Sequence, residues 1–218
     1  MKNTAEQHYD QAYFDWQKRI GTFGGKANLF KFERYIKEDD IVLDFGCGGA
    51  DLLNEIRCKE KYGIDINDIA RAEASKKGIH CEATVDSIPS ESVSVIVSNS
   101  CLGHVTNPYE ILVSLKRVLK KGGKIIFVVP CDNSLKIKKN DINMILYTWT
   151  PQNLANLFTV AGYEVIEANC IKSKWPPKYE VIQKLVGWKM FQIICKIYCR
   201  IRRTGYQTRV VAVLPDKV

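Results

Sequence analysis

The 218-residue chain has no apolar run long enough and free enough of charge to cross a bilayer. Its first residues, MKNTAEQHYDQAYFDW, lack the apolar core of a signal peptide. A cytoplasmic location is therefore expected. No Cys-x-x-Cys pair occurs among the eight cysteines, so neither a zinc knuckle nor a thioredoxin-type motif is written here. Cys195 and Cys199 lie four apart, but two ligands do not make a metal site, and no metal is expected. The thiols read as free side chains of a reducing compartment. Histidine is scarce, with only His8, His80 and His104. Acid is scarce in one segment: from 172 to 209 ten Lys and Arg accompany a single acid, Glu180. The net charge of +8 resides there, and the remainder of the chain is close to neutral.

What is present is organised around IVLDFGCGGADLL, residues 41–53. An apolar run is followed by an acid, Asp44, then by Gly46, Gly48 and Gly49, then by a stretch able to open a helix. A buried strand, a glycine turn and a helix form a nucleotide-binding layout, because glycine lets backbone approach a ligand.

Further strands are expected at 61–66, 79–84, 93–98, 124–130, 163–168 and 208–214. Helices are expected at 50–58, 69–77, 109–119 and 151–161, the last with Thr150 as N-cap and Pro151 at its first position. Strands alternating with helices predict an α/β doubly wound, mostly parallel sheet, with the ligand outside the carboxyl ends of its strands. Residues 1–38 read as a helical cap. Its aromatics Tyr9, Tyr13, Phe14 and Trp16 are separated from Phe30, Phe32 and Tyr35 by Gly21, Gly24 and Gly25, which read as breaks.

A dinucleotide fingerprint requires a third glycine at position 51, where this chain has Asp51, an acid that would repel a pyrophosphate. Asp44, at the end of the first strand, suits instead a ligand with a cationic amino group and no phosphate, such as S-adenosylmethionine. Asp65, 21 residues on, can accept hydrogen bonds from both ribose hydroxyls. Asp86 is placed to accept from an adenine amine. Each acid also has a purely local reading. Asp44 can cap a helix start, Asp65 can form a turn with Asn67, and Asp86 can form an Asx turn before Ile88-Pro89.

Together, VLDFGCGGADLL, YGIDIN, ATVDSIP, SVIVSNSCLGHV, LKRVLKKGGKIIFVVP and TWTPQNLANLFTVAGYEVIEA resemble the class I S-adenosylmethionine-dependent methyltransferases of the small-molecule group, from about residue 41 to 214. The resemblance implies one methyltransferase domain over 1–218. It implies a Rossmann-like seven-stranded sheet with helices on both faces and the last strand antiparallel. It also implies S-adenosylmethionine as cofactor and S-adenosylhomocysteine as product. By it, Asp44 and the backbone from Gly46 through Cys47 and Gly48 to Gly49 hold the methionine end. Asp65 takes the ribose, Ile66 packs on the adenine, and Asp86 with Ser87 takes the adenine amine. Asn99 approaches the sulfonium. Ala50 stands where the family often has a third glycine.

The acceptor is less legible. His104, just after the fourth strand, is a candidate base or a pocket-lining residue. Asp132, Asp141, Tyr147 and Trp149 are further candidates near the mouth. Ser98-Asn99-Ser100-Cys101 lacks the Asn/Asp-Pro-Pro-Tyr tetrapeptide of enzymes that methylate nucleobase amines, and there is no appended RNA-binding module, so no nucleic acid is expected. A small-molecule acceptor is favoured, most simply an oxygen on a sugar or glycan precursor. N- or C-methylation of a lipid or quinone-like acceptor, or a catalytically silent cofactor-binding module, are the alternatives.

Between the last two strands, 172–205 form a basic amphipathic insertion. A helix at 179–203 carries Lys189, Gln192, Lys196, Arg200 and Arg203 as one polar stripe among many apolar residues. It reads as a helical cover with snorkelling cations, as a lid recognising an anionic acceptor, or as a contact with an anionic membrane surface. The cofactor assignment predicts that Asp65→Ala abolishes calorimetrically measured S-adenosylmethionine binding, against submillimolar binding by the wild type.

Overall fold

The computed structural model describes residues 14, 17, 18, 20–131 and 143–216. Tyr9, Tyr13, Trp16, Asp132 and Asp141 lie outside the described residues. Seven strands form one sheet: β1 (Ile41–Phe45), β2 (Glu60–Ile64), β3 (His80–Glu82), β4 (Val93–Asn99), β5 (Leu119–Pro130), β6 (Glu164–Lys172) and β7 (Tyr206–Val213). Their order is β3-β2-β1-β4-β5-β7-β6. Only β7 runs against its neighbours, pairing antiparallel with both β5 and β6. This is the Rossmann-like arrangement expected from the sequence. The helices are α1 (Gly21–Asn28), α2 (Asp51–Glu55), α3 (Asp68–Lys76), α4 (Pro108–Val118), α5 (Pro151–Val160) and α6 (Tyr179–Arg202).

The central strands, β1, β4 and the second half of β5, are largely apolar because both sheet faces are covered there. Leu43, Ile96, Ile125 and Phe127 point to one face, where they meet Leu112, Leu115 and Phe158 of α4 and α5. Their neighbours Val42, Val95, Val97, Ile126 and Val128 point to the other, where they meet Phe32, Leu53 and Ala74. Each large side chain so buried contributes about 1.5–3 kcal/mol.

Local capping follows the sequence. Asn67, Asn107 and Thr150 each accept a backbone N–H at a helix start, and Pro108 and Pro151 open α4 and α5. Some boundaries differ from expectation. The second strand stops at Ile64, which leaves Asp65 and Ile66 on the loop beyond it. Helix α2 stops at Glu55, because Ile56 turns extended and buries its side chain in the core.

Gly21, at φ +24, stands where α1 opens after a turn at Ile20, but the other two glycines of the N-terminal segment do not break the helix. Gly24 and Gly25 lie within α1 and serve close packing. A Cβ at Gly25 would stand 2.3 Å from the Asp51 carbonyl oxygen, so only glycine lets α1 rest on the start of α2.

A charged tie holds the next part of the segment to the far edge of the sheet. Glu167 on β6 accepts from Arg209 on β7 at 2.6 Å and from Arg34 at 2.8 Å. Tyr35 donates to the same carboxylate at 2.9 Å, and both guanidinium groups lie over the Tyr35 ring. Burial pushes the Glu167 carboxyl up, but hydrogen bonds from Asn169, Arg209 and Tyr35 outweigh it and hold the group down at about 2. A depressed carboxyl stabilises the fold above its unfolded value, near 4.5, and the benefit is lost as pH falls towards about 2. Glu167→Gln should therefore lower the thermal midpoint at pH 7 by a few degrees, and the deficit should close between about pH 4.5 and pH 2.

Candidate active site

Strand order reverses between β1 and β4, and the carboxyl ends of these strands open a crevice at that point. Ser98 on β4 donates to the Phe45 carbonyl at 2.8 Å and fixes the two ends together. The crevice widens into a cavity of about 1510 Å³. A single small ligand fills roughly 300–1,000 Å³, so the space accommodates a cofactor and a second molecule.

The glycine turn supplies the floor. Gly46 has φ +75, and a Cβ there would lie 2.3 Å from Cys101 Sγ, so both conformation and space demand glycine. The Gly46 and Cys47 amides donate to the Ile64 carbonyl, which locks the turn against β2. Ala50 is also left-handed, at φ 58. That conformation costs a non-glycine residue about 1–2 kcal/mol. Its methyl is fully buried in the core, which offsets about 0.8 kcal/mol of the strain. The alanine is thus a tolerated substitute where glycine would sit without strain.

Of the residues singled out in the sequence, Asp44, Gly46, Cys47, Gly48, Asp65, Ile66, Asp86, Asn99 and His104 all line the cavity. Ser87 does not; it ends a 3-10 turn (Val85–Ser87) with its side chain exposed. Asp65 accepts from the Gly48 amide at 2.8 Å and from the Asn67 amide at 3.0 Å. The local turn with Asn67 and the position on the cavity wall are thus both realised. Ile66 is 58% exposed and presents a free apolar surface to the cavity. Asp86 stands exposed beyond β3.

Asp44 is the unusual member. It is buried, and its Oδ1 has no hydrogen-bond partner among the described residues. Burial, and then the nearby Asp65, push its carboxyl up from 3.8 to about 7. Asp65 is also raised by burial, against the opposing pull of its two amide donors and Arg71. Cys47 lies 3.3 Å from Cys81, and this contact and burial drive its thiol far up. Burial does the same to Cys101. Neither is a nucleophile at neutral pH, so the site's chemistry rests on oxygen and nitrogen groups.

Sequence reasoning missed Lys31. It follows Leu29 and Phe30 in a run that reads as the amphipathic end of the cap, yet its side chain is only 3% exposed. The reason is local. The chain tightens into two successive 3-10 turns there, which bury Lys31 and Phe32 together. The Lys31 Nζ donates to Asn99 Oδ1 at 3.3 Å on the cavity wall, and burial lowers its pKa from 10.5 to about 7. A lysine set inside an aromatic cluster was the available signal.

Tyr147 and Trp149 do not line the cavity. Tyr147 donates from its hydroxyl to the Thr106 carbonyl and lies along the outside of the loop after β4, and Trp149 packs on the core. Asn143 and Ile145, earlier in the same segment, line the cavity instead. Ser100, directly after β4, is held at φ 69, a strained conformation for a non-glycine residue and one often found at functional sites.

A methyltransferase-domain family model matches residues 12–168, most of the chain. The chain belongs to the class I methyltransferase family. No curated protein matches it in sequence. Among solved structures, a Thermotoga maritima S-adenosylmethionine-dependent methyltransferase is similar, with 15% identity and a TM-score of 0.70 over 96% of this chain and 99% of that one. A chain from the Haloferax volcanii complex of a methyltransferase with its Trm112 activator has 16% identity and a TM-score of 0.68, covering 99% of both chains. An Archaeoglobus fulgidus S-adenosylmethionine-dependent methyltransferase has 17% identity and a TM-score of 0.66, over 94% of this chain and 100% of that one.

The cofactor of this class is S-adenosylmethionine, and the residues present fit it. The buried Asp44 oxygen without a partner calls for a cationic donor, which the amino group supplies. Asp65, held by the Gly48 and Asn67 amides on the cavity wall, would take the ribose, and the exposed Ile66 and Asp86 on the same wall would face the adenine.

Because the Asp44 carboxylate must be ionised to hold a cation, affinity for S-adenosylmethionine should rise with pH through about 7 and level off above it. Titrations across this range should show a several-fold rise for the wild type and a low, pH-independent affinity for Asp44→Asn.

Proposed function

We propose that this protein transfers the methyl group of S-adenosylmethionine to a hydroxyl of a small molecule, with a sugar or glycan precursor as the acceptor class. The observation that carries the reading is Lys31, a buried amine that is half neutral near pH 7, set beside Asn99 at the end of β4. An alcohol must lose its proton as it is methylated, and a base with a pKa near the working pH serves that step best. Polar groups of Asn28, Asn99, Ser173 and Gln207 share the cavity wall with it, and such a lining suits a ligand carrying several hydroxyls.

When bound, the cofactor supplies a methyl group on an electrophilic sulfonium. The chain's part is to hold and orient. Asp44 fixes the amino end, and Asp65 and Asp86 fix the nucleoside. Asn99 ties Lys31 to the strand end from which the acceptor hydroxyl is approached. Lys31 or His104 takes the acceptor proton, and the alcohol oxygen then carries the methyl. Positioning of this kind contributes much of the rate in such displacements.

The chain is read as one domain over 1–218 acting in the cytoplasm, consistent with its eight cysteines and with the absence, among the described residues, of a helix long and apolar enough to cross a membrane. A second reading, N- or C-methylation of a lipid or quinone-like acceptor, draws on the outward apolar face of α6, whose two ends border the cavity at Trp175 and Thr204.

A screen for S-adenosylhomocysteine release over hydroxylated, amine and quinone acceptors separates these readings, and silence with intact cofactor binding would point to a non-catalytic module. With the active acceptor, Lys31→Met should cut kcat by about 10²–10⁴-fold and remove the rise of kcat through pH 7, while the cofactor Kd changes little. His104→Asn measured in parallel should have the smaller effect on that rise.

A further inference from the structure

The insertion helix α6 has two apolar faces, and only one of them is covered. A kink at Gly187, whose backbone is non-helical, divides it into two limbs. In the second limb, Phe191, Cys195 and Cys199 are buried. Phe191 meets Phe23 edge-to-face at 5.6 Å and Trp188 edge-to-face at 5.9 Å, and Gln192 donates to the Ala27 carbonyl at 2.9 Å. Gln192 thus leaves the polar stripe expected of it and turns inward. These contacts fix the rotation of the helix on α1.

The opposite face is therefore held outward, and it is not polar. Met190, Ile193, Ile197 and Ile201 recur at three- and four-residue spacing along it, with Ile201 72% exposed. On the first limb, Val181, Leu185 and Val186 are also exposed, Leu185 at 80%. Seven of the fifteen large apolar side chains left exposed in the described residues fall on this one helix. A cover packed on its own domain has no use for such a face.

Cations run beside it. Lys189, Lys196 and Arg200 lie on the flank of the apolar stripe, and Lys184, Arg202 and Arg203 sit towards the ends, all of them exposed. Glu180 is the only acid in the helix. None of these cations lines the cavity, so they do not form a lid over an acceptor.

We propose that α6 is a membrane-surface anchor, with its outward apolar face set among the acyl chains and its flanking lysines and arginines on anionic headgroups. The pairing of an exposed apolar stripe with a cationic border is what an anionic bilayer complements. A second copy of the chain does not complement it. A two-fold contact through this face would bring six cations of each copy together with one acid on each side to offset them. The anchor stands on the helix alone, independent of which acceptor is methylated. Its geometry has a consequence for the site, since Ser173 and Trp175 before the helix and Thr204 and Gly205 after it all border the cavity. Seating α6 on a bilayer holds the cavity mouth near the headgroups.

The test is flotation of the full chain with vesicles of phosphatidylcholine, with and without phosphatidylserine. Binding should require phosphatidylserine and weaken with added salt. The triple variant Ile193→Ser, Ile197→Ser, Ile201→Ser and the triple variant Lys189→Gln, Lys196→Gln, Arg200→Gln should each lose roughly tenfold or more in vesicle affinity. All six positions are exposed, so thermal midpoint and cofactor affinity should stay at wild-type values, which separates lost anchoring from lost folding. Vesicle binding that is absent, or that both variants retain, would overturn the proposal. So would a lipid-free, concentration-dependent dimer in sedimentation that the serine variant dissolves, which would assign the face to a second copy.

Discussion

The Asp44 carboxylate, buried at the end of β1 with one oxygen unpartnered, is the constraint around which the site is arranged. Raising its pKa from 3.8 to about 7 means that the ionised form is disfavoured in the folded chain by roughly 4 kcal/mol. The sign follows directly. Stability of the ligand-free protein falls as pH rises from about 3.8 towards about 7, and it is level beyond. Against a total stability of about 5–15 kcal/mol that is a large cost, which protonation, or a cation held against the carboxylate, would remove. The two core clusters above and below the sheet make such a cost tolerable.

The same electrostatic argument sorts the lysines. Burial on the cavity wall lowers the Lys31 amine to about 7. The cations of α6 are kept in solvent and away from the cavity. One lysine is buried with a lowered pKa, and the exposed cations of α6 carry much of the chain's net charge. The basic character read from the composition is therefore concentrated on the exposed surface of α6, whose cations do not line the cavity.

Much of this was legible in the chain because strands buried on both faces and glycine turns leave strong marks. The apolar runs located all seven strands, and the acids at 44, 65 and 86 stand on the cavity wall where the strand ends put them. Misreadings came where one residue type has two uses. Gly24 and Gly25 look like helix breaks, but they permit a close helix contact, a property of the partner surface that no local pattern encodes. Trp149 took the core-aromatic reading open to it in the sequence, and Tyr147 lies off the cavity wall, which Asn143 and Ile145 line instead. Lys31 went unseen because burial of a charge depends on which distant segment, here the end of β4, closes over it. The apolar count of α6 was visible in sequence. Which of its two apolar faces is free was not, because that depends on the docking of α1.

The pairing of β6 with β7 ends at Lys172 opposite Tyr206, so the chain departs from the sheet and re-enters it at adjacent points. Everything between, α6 included, is a loop on a hairpin in topological terms. Its length and character can change without displacing a strand, since β7 lies between β5 and β6 whatever the loop contains. The catalytic sheet and this appendage are consequently free to diverge at different rates. One fold can thereby redirect where it works, and on what, by exchanging a single excursion beside the mouth of an unaltered cofactor site.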